Sequence, residues 1–198
     1  TDIISCAYAS HGDTKHVLLF PSDPTECFSL GAEAFDLAER LQTPVMVMSD
    51  LDIGMNDWVT DELKWDDSKS FDRGKVLTAE ELESFKDRKG KPWGRYLDID
   101  GDAIPYRTLP GTHPTMGSFF TRGTSHDEYA RYTEDGSIHA RVLDRIRRKF
   151  DTAATVVPKP EITTRNKSGK VGVIYFGATR PAVLEGLDLL EKDGIKLN

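Results

Sequence analysis

The chain has 198 residues, a formal net charge of −7 and only two cysteines, Cys6 and Cys27. That length holds one good-sized domain or one domain plus part of another, and 38% hydrophobic against 30% charged residues leaves a packed core joined by long polar connections. Dispersed acidity argues against a nucleic-acid surface, no apolar run nears the roughly 18 residues of a membrane span, and two cysteines supply neither a disulfide framework nor an all-Cys iron–sulfur site. A cytoplasmic protein that touches neither nucleic acid nor membrane is the expectation.

Residues 1–15 read as a short helix or turn followed by the loop Ser10-His11-Gly12-Asp13-Thr14. Gly12 permits a bend with positive φ. His11 and Asp13 beside it have the chemistry to hold a ligand or exchange a proton, or Asp13 simply caps local N–H groups. Next, Val17-Leu18-Leu19-Phe20 has the length and composition of a buried strand. A helix follows to about Gln42, with Asp23 as N-cap, Pro24 at the first helical position and Glu26 at N3 of a capping box. Cys27, Leu30, Ala34, Leu37 and Leu41 form its apolar stripe, which makes Cys27 a packing residue rather than a reactive thiol. Pro44-Val45-Met46-Val47-Met48 is a second strand. Strand, helix and strand with short joints predict a parallel crossover unit, whose strand carboxyl ends are where open α/β sheets bind ligands.

Asp50, Asp52 and Asp57 follow that second strand, but their spacing matches no calcium loop. Residues 59–125 are polar and poor in periodicity. Within them Thr78-Ala79-Glu80-Glu81 is a capping box opening a short helix, and residues 96–104 read as a hairpin turning at Asp100-Gly101. The Asp-x-Asp-Gly-Asp run there lacks the Gly and Glu positions of an EF-hand, since Leu109 stands where the Glu belongs. His113, Arg122, His126, Asp127, Glu128 and Tyr129 are dense in ionisable groups without the spacing of a zinc motif. A helix from about Ser137 to Ala154 is predicted to bury Ile138, Val142, Ile146 and Phe150, and to expose Arg141, Arg145, Arg148 and Lys149. After a linker, Val171 to Phe176 reads as a buried strand. Pro181 begins a helix that Gly194 closes. The opening Thr1-Asp2-Ile3-Ile4 and the closing Ile195-Lys196-Leu197-Asn198 both read as cut.

Several segments in order carry more than this. They are Ser10-His11-Gly12-Asp13, the run from Pro44 through Asp50-Leu51-Asp52-Ile53-Gly54-Met55-Asn56, Gly94-Arg95-Tyr96, Asp100-Gly101-Asp102 and Ile104 to Gly111. Thr121 to Tyr129 and Val173-Ile174-Tyr175-Phe176-Gly177 continue the series. The series resembles the alpha subunit of the 2-oxoacid:ferredoxin (acceptor) oxidoreductases, most closely the 2-oxoglutarate branch, over nearly the whole chain.

The resemblance implies an α/β fold: an incomplete parallel sheet of the thiamine-diphosphate (pyrimidine-domain) type, an irregular polar arm and the first strand–helix of a second α/β domain. Residues 1–58 become the later half of the pyrimidine-type domain and 59–155 the arm with its short helix, hairpin and basic helix. Residues 156–170 become the linker and 171–198 the start of a transketolase-C-like domain. The implied reaction uses thiamine diphosphate, Mg²⁺, coenzyme A and a [4Fe-4S] path to convert a 2-oxoacid to acyl-CoA, CO₂ and reduced ferredoxin. In this family the Mg²⁺ and the cluster are held by the beta subunit, so the implied partners are that subunit and the rest of the alpha subunit in an obligate oligomer. The family's activating Glu and substrate-contacting Arg lie upstream of the matching region, so no catalytic or metal-binding residue is assigned here. His11, Gly12 and Asp13 are the expected substrate- or cofactor-adjacent positions. His126 and Glu128 either serve that site or hold the arm together by hydrogen bonds. A non-catalytic assembly module derived from the same domain is the alternative reading.

Overall fold

A computed structural model describes residues 2–10, 14–119, 121 and 125–198. After a short helix α1 (Asp2–Ala7), the chain enters β1 (Val17–Leu19), α2 (Pro24–Leu41) and β2 (Val45–Val47). β1 and β2 pair as a small parallel sheet, the expected crossover unit, and Met48 N donates to Leu19 O at 2.7 Å just past it.

The start of α2 is built as its sequence suggests, with one change. Asp23 Oδ1 accepts from Glu26 N at 2.8 Å. The Glu26 carboxylate reaches back one residue further than a capping box requires, accepting from both N and Oγ of Ser22 at 2.8 Å. Ser22 is buried, and these bonds satisfy groups that would otherwise be stranded away from water. The apolar stripe is buried only toward its end, at Leu37 and Leu41, whereas Cys27, Leu30 and Ala34 stay half-buried. Burial raises the Cys27 thiol pKa.

Three short or medium helices follow: α3 (Leu51–Met55), α4 (Ala79–Ser84) and α5 (Gly136–Val156). The box at α4 closes in both directions, Glu81 N to Thr78 Oγ1 at 3.2 Å and Thr78 N to Glu81 Oε2 at 2.8 Å. α6 (Arg180–Lys192) ends in a Schellman motif. Ile195 N bonds Leu190 O, Gly194 N bonds Glu191 O, and Gly194 takes φ +85°.

The chain divides into two units, residues 1–17, 36–44 and 71–157 in one, and 18–35, 45–70 and 158–198 in the other. The first buries Leu37, Leu41, Leu77, Leu82, Ala103, Ile104, Val142 and Ala153. The second buries Leu19, Pro21 and Leu187, and leaves Phe35, Leu51, Met55, Val59, Ile162, Ile174 and Phe176 exposed.

Three expectations need correction. Residues 96–104 turn at Gly101 (φ +86°) but the flanks are not strands. Instead Asp98 Oδ1 accepts from Gly101 N and Ala103 N, and this carboxylate organises the loop in place of a ladder. Residues 171–176 are extended without forming a strand. Among the described residues, Val171 O and Val173 N bond the backbone of Asn198, and this is not the neighbour along its whole length that a strand needs. On α5 the buried stripe is Val142, Arg145, Lys149 and Ala153, so Arg145 and Lys149 are inside, while Ile138, Ile146 and Phe150 are only half-buried.

Candidate functional site

The expected site loop, His11, Gly12 and Asp13, lies outside the described residues. Its two feet are described. Ser10 Oγ and His16 Nε2 are 2.9 Å apart, so a hydrogen bond closes the base of the loop. His16 is buried, and its Nδ1 has no hydrogen-bond partner among the described residues. Sequence reasoning passed over His16. The available signal was its place directly before an apolar strand, where a polar ring must find a partner or be stranded.

At the carboxyl end of β2 the three aspartates do not converge. Asp50 caps α3, accepting from Ile53 N at 3.0 Å, and its other oxygen accepts from Ala178 N at 3.4 Å. Gly177 takes φ +67° in that turn. Asp52 contributes its backbone carbonyl, which accepts from Trp58 Nε1 at 2.7 Å. Among the described residues no three His, Cys, Asp or Glu side chains gather as metal ligands.

The Asp-rich loop does hold a cation, and that cation belongs to the chain. Lys75 Nζ lies 2.6 Å from Asp100 Oδ2, 2.8 Å from Asp102 Oδ1 and 3.1 Å from Ile104 O. Burial alone would lower the Lys75 pKa, but the two carboxylate hydrogen bonds outweigh it and raise the pKa, while Lys75 pulls Asp100 down. An ammonium with three donors fills the place where calcium would need six or more oxygens.

The ionisable run at 113–129 is structural wherever it is described. His113 Nε2 meets Glu83 at 3.0 Å, and its Nδ1 accepts from Met116 N at 3.0 Å. His126 stacks on Tyr96 with ring centroids 4.0 Å apart. Asp127 Oδ1 accepts from Tyr129 N and Arg131 N, closing a turn in which Ala130 takes φ +63°. Glu128 O accepts from Tyr96 N, and its carboxylate accepts from Arg141 Nε. Tyr129 donates its hydroxyl to Asp87 at 2.6 Å. Burial and that bond push its pKa up to about 12. Of the two readings left open for His126 and Glu128, these contacts support the scaffold. Arg122 lies outside the described residues. An open cleft of about 360 Å³ lies nearby, walled by Trp93, Phe119 and Tyr129.

The feature the sequence hid is a group of buried cations. Lys149 Nζ donates to Gln42 O at 3.1 Å, at the carboxyl end of α2, where Gln42 takes φ +50°. A cation there also meets the negative end of the helix dipole. Arg145 Nη1 donates to Ala103 O at 2.9 Å. Burial, then repulsion from Arg145 and Arg95, pulls the Lys149 pKa down to about 8. Burial likewise lowers Arg145 and Arg95.

Comparison with known proteins gives these features a setting. Residues 1–149 match the family model described as pyruvate flavodoxin/ferredoxin oxidoreductase, thiamine diphosphate-binding. The chain is 28% identical over 200 residues to a 2-oxoacid:ferredoxin oxidoreductase subunit alpha of Aeropyrum pernix, covering 98% of this chain and 29% of that protein. It is 28% identical over 197 residues to the 2-oxoglutarate synthase subunit KorA of Methanothermobacter thermautotrophicus, covering 99% of this chain and 48% of that one. Its fold is similar to a solved 2-oxoglutarate:ferredoxin oxidoreductase from Magnetococcus marinus with 2-oxoglutarate, coenzyme A and succinyl-CoA bound. There the TM-score is 0.79 at 21% identity, over 100% of this chain and 32% of that one. The chain thus spans less than half the length of these relatives.

Proposed function

Since this chain belongs to the pyruvate flavodoxin/ferredoxin oxidoreductase family through its thiamine diphosphate-binding domain, we propose that it forms part of the alpha subunit of a 2-oxoacid:ferredoxin oxidoreductase acting on 2-oxoglutarate. The family match over residues 1–149 carries this reading, and the alignment with the Methanothermobacter 2-oxoglutarate synthase subunit favours that substrate. The reaction converts the 2-oxoacid and coenzyme A to acyl-CoA and CO₂, with the released electrons passing to ferredoxin. Residues 1–58 contribute to the pyrimidine-side domain, 59–155 form the arm, 156–170 link, and 171–198 begin a transketolase-C-like domain.

Thiamine chemistry needs a carboxylate to tautomerise the aminopyrimidine and a dry pocket to stabilise the carbanion. The described residues do not fit the diphosphate and its Mg²⁺, because Asp50 is committed as a helix cap and no metal-ligating group stands together. Mg²⁺ and the [4Fe-4S] cluster are assigned to the beta subunit because the family that the sequence resembles holds them there. His11, Gly12 and Asp13 are assigned to the substrate or cofactor edge, with Ser10 and His16 clamping their loop. By itself the chain is inactive and binds thiamine diphosphate weakly. No described helix is long and apolar enough to cross a membrane. Placement in the cytoplasm is part of the proposal and rests on the two-cysteine composition.

The test is to co-purify the full-length polypeptide with its beta subunit and follow CoA-dependent ferredoxin reduction. Faster turnover with 2-oxoglutarate than with pyruvate, abolished by removing thiamine diphosphate, is expected. Turnover with no 2-oxoacid, or turnover indifferent to thiamine diphosphate, overturns the reading. Asp13→Asn is expected to lower kcat/KM without moving the melting temperature.

A further inference from the structure

The open cleft of about 360 Å³ lies wholly within the first unit, and its walls are the rings of Trp93, Phe119 and Tyr129. Leu82, 1% exposed, closes its inner side. The walls are held by groups that do not themselves line the cleft. Trp93 Nε1 donates to Tyr106 O at 3.1 Å, and Tyr129 donates its hydroxyl to Asp87 at 2.6 Å. Gly117 O accepts from Thr108 Oγ1 at 2.6 Å. At Gly117, with φ +79°, a Cβ would stand 2.8 Å from Leu82 Cδ2, so the lining there is backbone packed on a buried side chain. These contacts fix the walls before anything enters, which lowers the cost of binding. Phe119 meets Trp93 edge-on with centroids 6.0 Å apart and is still 39% exposed.

No acidic side chain lines the cleft. Cations stand at its edge instead. Lys91 and Arg131 are exposed and adjoin the lining residues Pro92 and Ala130 in the chain. Lys91 Nζ is 5.3 Å and Arg131 Cζ 5.6 Å from the centre of the Tyr129 ring. The carboxylates beside them are already engaged. Asp87 accepts from the Tyr129 hydroxyl, Lys89 N and Lys91 N, and Asp127 accepts from Tyr129 N and Arg131 N. Among the described residues neither the Lys91 ammonium nor the Arg131 guanidinium forms a salt bridge.

Aromatic walls favour a flat aromatic ring over an aliphatic group of the same size. Two cations beside one wall complement a negative charge on that ring. The volume is at the lower end of small-molecule pockets, roughly 300–1,000 Å³, which suits one or two rings rather than a long chain. We propose that this cleft is a binding site for a small aromatic carboxylate, its ring against Trp93 and Phe119 and its charge at the rim formed by Lys91 and Arg131. The site is independent of the oxidoreductase reading and stands or falls separately from it.

The test is titration of the purified protein with phenylacetate, followed through the indole N–H resonances of its three tryptophans, with Trp93→Phe identifying the Trp93 signal. The Trp93 signal should shift saturably while those of Trp58 and Trp65 stay in place. Cyclohexylacetate, which lacks the aromatic ring, and 2-phenylethanol, which lacks the charge, should each bind about three- to tenfold more weakly. Phe119→Ser should weaken phenylacetate about tenfold. Lys91→Gln combined with Arg131→Gln changes only exposed side chains. It should abolish the preference for phenylacetate over 2-phenylethanol and leave the affinity for 2-phenylethanol unchanged. Absence of a saturable shift at Trp93, equal movement of all three indoles, equal binding of the two control compounds and phenylacetate, or a charge preference that survives the double variant overturns the proposal.

Discussion

The two units spend the same kinds of residue differently. The second holds β2, α3, α6, most of β1 and the first half or more of α2, yet Phe35, Leu51, Met55, Ile162 and Ile174 lie on its surface. The first holds long stretches without regular structure, and these are pinned by side chains: Lys75 between Asp100 and Asp102, Tyr129 on Asp87, Gln42 on the Pro105 carbonyl. The comparison teaches that regular elements and a closed core are separate achievements. A strand–helix–strand unit buries itself only when both faces of its sheet are covered, whereas an irregular arm closes when its buried polar groups find partners. Contiguous exposed apolar area is where a partner, a ligand or a membrane docks, so the second unit's exposed side chains are the place to test for association.

The largest expected effect tests which unit carries the core. Leu41→Ala, at a fully buried site in the first unit, should cost about 2–5 kcal/mol in urea denaturation. Leu187→Ala, the corresponding truncation in the second unit at 8% exposure, should cost less. Equal losses would mean that the second unit packs as tightly as the first, and the contrast would fail.

Next comes the buried lysine. The folded-state pKa of Lys149 near 8 lies below the ordinary 10.5, so the unfolded chain binds more protons between those values. This contribution to stability is fully present above pH 10.5 and is lost as pH falls through 8. At pH 7 in chloride, Lys149→Met should therefore be more stable than the wild type by up to about 3 kcal/mol, less the lost Gln42 bond. The difference should shrink toward pH 10.5. A pH-independent difference in paired denaturation curves would show that Lys149 is not held as described.

What the sequence made readable follows from how far each signal reaches along the chain. The Thr78 box, the Asp23 cap, the Gly194 stop and the crossover unit all depend on residues a few positions apart, and all of them are present. Lys75 in the aspartate loop was not readable, because its partners stand 25 and 27 residues away. Arg145 and Lys149 were misplaced for a related reason. Their acceptors are backbone carbonyls of Ala103 and Gln42, which leave no trace in side-chain periodicity. The extended stretch at 171–176 failed differently: its composition asks for neighbours that the described chain supplies only at Asn198. At the expected site, the loop feet Ser10 and His16 are a local pair that the pattern of types did not single out.

A smaller effect belongs to the arm. Thr78→Ala removes the acceptor of Glu81 N and leaves the Glu81 carboxylate bonded to the backbone, so about 1 kcal/mol should be lost in equilibrium unfolding. Thr78→Ser should recover most of it, since the hydroxyl is what the cap uses. An alanine variant with unchanged stability would show that α4 is held by Leu82 alone.

The smallest effect sharpens the contrast most. Val59 and Ile174 are 98% and 99% exposed, so Val59→Ser and Ile174→Ser should each leave unfolding within about 0.5 kcal/mol of the wild type. A surface that serves only this chain would register nothing further. A surface covered by other protein should weaken association, read by sedimentation of the co-purified complex, because each change removes apolar area from a contact without touching the fold. If stability and association both stay put, the bare face of the second unit is merely tolerated. If stability falls instead, those side chains pack within the unit and the second unit closes on itself after all.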